Sequence, residues 1–99
     1  MLNIENLIKD VSPLQVEVNV IEIDNVYYIS MAMKPAGAKL AWDRYWGGYT
    51  RFCRYFISKY FQYKSLKEEN NGVIFEIGSV FDVLNTPEIL KENYVDNIQ

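Results

Sequence analysis

Apolar and polar residues alternate along LQVEVNVIEI (14–23) and again along VYYISMAM (26–33). A period of two predicts strands with one buried face. Asp24-Asn25 separates them, and both residues tolerate the positive φ that a two-residue type I′ turn demands. With that turn Ile23 faces Val26, and the register of the hairpin follows. One face then carries Val16, Val18, Val20, Tyr27, Ile29, Met31 and Met33, interrupted only by Glu22 near the turn, and is read as the core face. The opposite face is polar at its far end (Gln15, Glu17, Asn19, Ser30). Beside the turn it gathers Ile21, Ile23, Val26 and Tyr28, a second apolar patch.

The period changes to that of a helix in AWDRYWGGYTRFCRYFISKYF (41–61), where nine of 21 residues are aromatic. At about 100° per residue, Trp42, Tyr45, Trp46, Tyr49, Phe52, Cys53, Phe56, Ile57, Tyr60 and Tyr63 share one arc of about 140°. Arg44, Arg51, Arg54 and Lys59 lie opposite with Gly47, Gly48, Ser58 and Gln62, and only Tyr55 and Phe61 break the phase. Because the phase runs through Gly47-Gly48 without a slip, the pattern predicts one helix over 41–63 with its aromatic face on the sheet. Two interior glycines cost such a helix about 2 kcal/mol relative to alanine.

Residues 3–11 read as a short helix. Asn3 is its N-cap, Leu2 packs on Leu7 as a hydrophobic staple, and Ser12-Pro13 ends it. GVIFEIG (72–78) reads as a third strand, opened by the turn signal Asn70-Asn71-Gly72. Ser79 then caps a short helix with Asp82 in capping-box position, and Thr86-Pro87 starts another through about Tyr94. The expected architecture is therefore a single α+β domain over residues 1–99, two-layered, in the order α-β-β-α-β-α-α. A three-stranded, mainly antiparallel sheet is covered by the long aromatic helix.

Composition narrows the chemistry. With 99 residues and an apolar fraction of 49%, the chain can bury one core without staples. Cys53 is the single cysteine, so no internal disulfide forms and a reducing, intracellular setting is expected. MLNIENLIKD has no basic n-region or unbroken apolar stretch, which argues against a signal peptide. No uncharged run is long enough to span a membrane. Histidine is absent, removing the commonest general base and metal ligand. Cys53 lies mid-arc on the apolar face, a small core residue rather than a nucleophile. Carboxylate pairs (Glu17 with Glu22, Glu68 with Glu69, Glu88 with Glu92) are not placed about a cleft, and Trp46-Gly47-Gly48-Tyr49 lacks the spacing of a phosphate loop. No catalytic residue, metal site or cofactor is expected.

Net charge is −3, unevenly spread. Residues 34–67 hold eight basic groups against Asp43, whereas the remainder holds Lys9 and Lys91 against twelve carboxylates. The asymmetry suggests either an anionic partner for the basic middle or self-complementation between the two parts. Two surfaces follow. Arg44, Arg51, Arg54, Tyr55 and Lys59 form a face for nucleic acid or another anionic partner. Ile21, Ile23, Val26 and Tyr28 form a protein interface, with homodimerisation its commonest solution, unless the N-terminal helix or the C-terminal segment (Ile89, Leu90, Tyr94) folds over it. In its size and its Ile/Tyr/Asn/Lys-rich, histidine-free composition the chain resembles small orphan proteins of viruses and mobile elements, those of archaeal filamentous and rod-shaped viruses in particular. That resemblance implies a non-enzymatic accessory role, binding a host or viral macromolecule.

Overall fold

The computed structural model describes residues 2–34 and 47–79. A short helix α1 (Glu5–Val11) and a 3-10 turn (Ser12–Leu14) lead into β1 (Val16–Ile23) and β2 (Val26–Met33). Helix α2 (Tyr49–Ile57) follows, then β3 (Ser65–Glu69) and β4 (Gly72–Ser79). The strands form one antiparallel sheet in the order β1-β2-β4-β3.

The first hairpin has the expected register: Ile23 pairs with Val26 and Val16 with Met33. Asp24 and Asn25 take φ of 52° and 64°, the conformation a type I′ turn requires. At the other hairpin Glu69 pairs with Gly72 across Asn70-Asn71. A Cβ on Gly72 would sit 2.4 Å from the Met31 carbonyl oxygen, so only glycine fits where β4 closes on β2. A register shift between Tyr27 and Tyr28 leaves Ile77 as the extra residue of β4, and both Ile77 and Gly78 are buried.

Both helices lie on one side of this sheet, and the core sits between. Val16, Val18, Tyr27, Ile29, Met31, Met33, Val73, Phe75 and Ile77 are buried beneath Leu2, Leu7 and Val11 of the N-terminal segment and Tyr49, Phe52, Cys53 and Ile57 of α2. The staple pair Leu2 and Leu7 is buried as expected. Helix α1, however, starts at Glu5, and Asn3 accepts a hydrogen bond from the Glu5 N–H at 3.1 Å. The Tyr60 hydroxyl donates to the Asp10 carboxylate, tying the end of α1 to the turn after α2.

Three expectations are corrected. Among the described residues the sheet has four strands, not three. β3 was missed because SLKEE offers a single apolar residue, Leu66, and is held by its ladder to β4 rather than by burial. Among the described residues no long helix covers the sheet, and two small ones do. The 41–63 helix fails at both ends of α2. Gly47 and Gly48 take φ of +74° and +122°, which no α-helix contains, so Gly48 stands at the N-cap and the helix starts at Tyr49. At the far end the chain leaves the helix after Ile57, so Phe61, one of the two residues that broke the helical phase, is buried. Ser79, expected as a helix cap, ends β4. The helices expected after it, together with residues 41–46, lie outside the described residues.

Candidate functional site

The sheet has two faces, and among the described residues only one is covered. α1 packs its Leu7 and Val11 into the core side, so the N-terminal helix does not cover the second apolar patch. Ile21 and Ile23 retain 37% and 55% exposure, high for isoleucine in a strand. Pairing brings Tyr28 opposite Ile21 and places Val26 opposite Ile23, so the four expected residues do share one end of this outer face.

The structure adds a fifth member that the sequence reading had not assigned. Ile74 of β4 joins Ile21, Ile23 and Tyr28 in lining a shallow groove of about 350 Å3, walled by the β3 residues Ser65, Leu66, Lys67 and Glu69 and by Glu76. The signal was present in GVIFEIG: with Val73, Phe75 and Ile77 facing the helices, Ile74 must face away. The remaining outer positions are polar or small (Glu17, Asn19, Ser30, Ala32), and Lys34 pairs with Glu17 at 3.6 Å across the far end. The groove is thus apolar at its floor and charged at its β3 rim.

The second candidate surface lies on the other layer. Arg51, Arg54 and Lys59 project from the exposed side of α2 and the turn after it, with Tyr55 between them, 55% exposed. They line an open hollow with Ser58 and Tyr63. Arg54 donates its Nε hydrogen to the Tyr63 hydroxyl at 3.0 Å, and the Lys59 ammonium sits about 5 Å from the Tyr55 and Phe56 ring centres. These contacts hold two of the three cations along the protein surface. Arg44, expected to extend this face, lies outside the described residues. At the start of α2 the hollow beside Gly47 and Gly48 brings Arg51 and Arg54 together with Glu68 and Glu69, so its charge is mixed rather than phosphate-like.

Cys53 and Tyr49 are both buried. Cys53 is fully enclosed on the core face of α2, and burial pushes its thiol up to about 12, so the thiolate nucleophile does not form near neutrality. Tyr49 is buried against it and donates its hydroxyl to the Met31 carbonyl at 3.1 Å. Burial raises its pKa far above the ordinary tyrosine value. The Tyr60 hydroxyl is also held protonated, by its bond to Asp10. Glu17 and Glu22, like Glu68 and Glu69, lie an odd number of positions apart along a strand and so point to opposite faces of the sheet. Among the described residues no group of acidic and cysteine side chains is placed to hold a metal, and no helix is long and apolar enough to cross a membrane.

No family model, curated protein or solved structure matches the chain.

Proposed function

We propose that this is a non-enzymatic interaction protein that binds another protein through the outer face of its sheet, around Ile21, Ile23, Val26 and Tyr28. The observation that carries this reading is the apolar groove on a sheet face that no described segment covers. A domain of this size needs one apolar sheet face for its core, and here the helix side supplies it with the nine buried strand residues named above. Apolar residues gathered on the other side, in a strip two to three strands wide, lower solubility unless something binds them. The compositional resemblance to small viral accessory proteins is in keeping with such a role.

The alternative reading is a nucleic-acid binder using Arg51, Arg54, Tyr55 and Lys59, favoured by the convergence of these residues on one hollow. Magnitudes decide between the two. Each phosphate neutralised on duplex DNA contributes about 0.9 to the log–log salt slope, so three cations give a slope of about −3, against about −10 for a strong repressor. Tyr55 offers a single stacking surface, with Lys59 beside it, where single-strand binders array several. The sheet face is therefore the stronger candidate.

The test is capture from the native source with wild type, with Ile21→Asp/Ile23→Asp and with Arg51→Glu, analysing bound protein and nucleic acid alike. A protein partner lost only in the isoleucine variant is the expected result. Retention of nucleic acid that Arg51→Glu abolishes, with no effect of the isoleucine change, would replace the first reading with the second.

A further inference from the structure

The two edges of the sheet are unlike. β3 is five residues long and carries Lys67, Glu68 and Glu69, the short, charged kind of edge that resists further pairing. β1 is eight residues long, VEVNVIEI, with no proline and no cation, and β2 is its only strand neighbour among the described residues. The direction of its backbone groups follows from the hairpin. The two-residue turn makes Ile23 and Val26 a hydrogen-bonded pair, and the bond from the Lys34 N–H to the Gln15 carbonyl at 2.9 Å confirms the same alternation at the far end. The N–H and C=O groups of Gln15, Glu17, Asn19, Ile21 and Ile23 therefore point toward β2. Those of Val16, Val18, Val20 and Glu22 point away from it, along an edge that no described strand completes.

We infer that a second copy of this chain joins by antiparallel pairing of the two β1 edges about a two-fold axis at Asn19. The inference goes beyond the outer-face reading, because edge pairing extends the sheet beside the groove and leaves the groove itself open. The charge pattern disfavours the parallel arrangement, and the Asn19 axis puts the outward-pointing groups of Val18 and Val20 opposite each other. In-register parallel pairing would set Glu17 on Glu17 and Glu22 on Glu22. The antiparallel pairing centred on Asn19 sets Glu17 opposite Ile21 and Glu22 opposite Val16, so no like charges meet.

At the axis each Asn19 amide meets its own copy, one giving an N–H and the other accepting it. On the helix side Val18 of one copy lies against Val20 of the other. Val20 is only half-buried in a single chain, so the pairing completes its burial and joins the two cores. The strand groups left outward by the hairpin are those that such a partner bonds. Two four-stranded sheets become one, and the charged β3 strands end it on both sides, so assembly closes at the dimer.

The experiment uses the full chain. Sedimentation and light scattering over a wide concentration range are expected to show a dimer that dissociates on dilution. Amide hydrogen exchange then reports the edge. Val18, Val20 and Glu22 gain protection as concentration rises, while Asn19 and Ile21, bonded to β2, stay equally protected throughout. Asn19→Lys, an exposed position, places two ammonium groups on the axis and weakens dimerisation by about tenfold or more without unfolding the chain.

Three outcomes overturn the inference. The first is a wild type that is monomeric at high micromolar concentration. The second is a dimer in which Val18, Val20 and Glu22 gain no protection. The third is a dimer that survives Asn19→Lys but is lost in Ile21→Asp/Ile23→Asp. The last result leaves the outer-face reading standing and rejects only the edge. Loss of native-source capture in the isoleucine variant alone, with a monomeric wild type, does the same.

Discussion

The two faces of the sheet are made by the same strands and have opposite fates. On the helix side Ile29, Met31, Val73 and Phe75 are almost completely buried under α1 and α2. On the outer side Ile21, Ile23, Tyr28 and Ile74, no less apolar, line an open groove. Alternation along a strand delivers both sets at once, and the difference lies in what the rest of the chain puts above them. α1 and α2 each have an apolar side, and both are spent on one layer. Residues buried in the core and residues left open among the described segments are thus separated by the thickness of a single sheet, and substitutions on the two sides should behave differently.

The largest effect belongs to the covered face. Phe75→Ala removes a fully buried ring that meets Tyr63 edge-on at 4.9 Å between centroids. Equilibrium denaturation should show a loss of about 3–5 kcal/mol. Phe56, half-buried at the border of α2, should lose less on the same truncation, in contrast to the full-burial value expected of a residue in the helical arc.

Next comes the junction of the hairpins. Gly72→Ala forces a Cβ against the Met31 carbonyl and the Ala32 backbone, and neither can yield without moving β2. A loss of about 1–3 kcal/mol is expected, and denaturation of this single variant checks it. A neutral result would mean that β2 and β4 separate more readily than their shared ladder implies.

Smaller, and specific to pH, is the contribution of Cys53. Its folded pKa, raised by burial from 9.0 to about 12, makes the folded state bind its proton more tightly than the unfolded state does. The stability this supplies is complete below 9.0 and is lost as pH climbs from 9.0 toward 12. Denaturation curves at rising alkaline pH should show that decline, and Cys53→Ala should remove the part that begins near 9.0 while leaving the loss that buried Tyr49 adds above 10.0. Thiol reagents should label wild type only as fast as it opens.

How much of this was legible depended on whether the signal was local. The Asp24-Asn25 hairpin was readable because turn chemistry and alternation agree within a few residues, and they fix the register from Val16 to Met33. The buried side of α2 was readable too: Tyr49, Phe52, Cys53 and Ile57 occupy the expected arc. The ends of α2 were not. Aromatic periodicity continues across Gly47-Gly48 by coincidence of spacing, while the backbone there takes dihedrals that only glycine reaches easily. Phe61 looked misplaced on a helix because it is not on one. β3 carried no pattern at all, since Lys67, Glu68 and Glu69 answer to a sheet edge and not to a core. Of the two candidate surfaces, the outer patch was legible from the hairpin alone. Lys59 was expected on the Arg51–Arg54 face, whereas the arrival of Tyr63 there depended on the chain turning after Ile57, which no local signal announced.

The central claim is that the outer face is not needed to hold the single chain together. The most direct measurement is the unfolding free energy of Ile21→Thr/Ile23→Thr at a concentration low enough to leave only monomer. Threonine keeps the β-branched backbone preference and removes the apolar surface. If the face is open in the monomer, the pair of changes costs less than about 1 kcal/mol and the protein folds as before. A loss of about 3 kcal/mol or more in dilute monomer would mean that these isoleucines are covered within the chain, and would contradict the account.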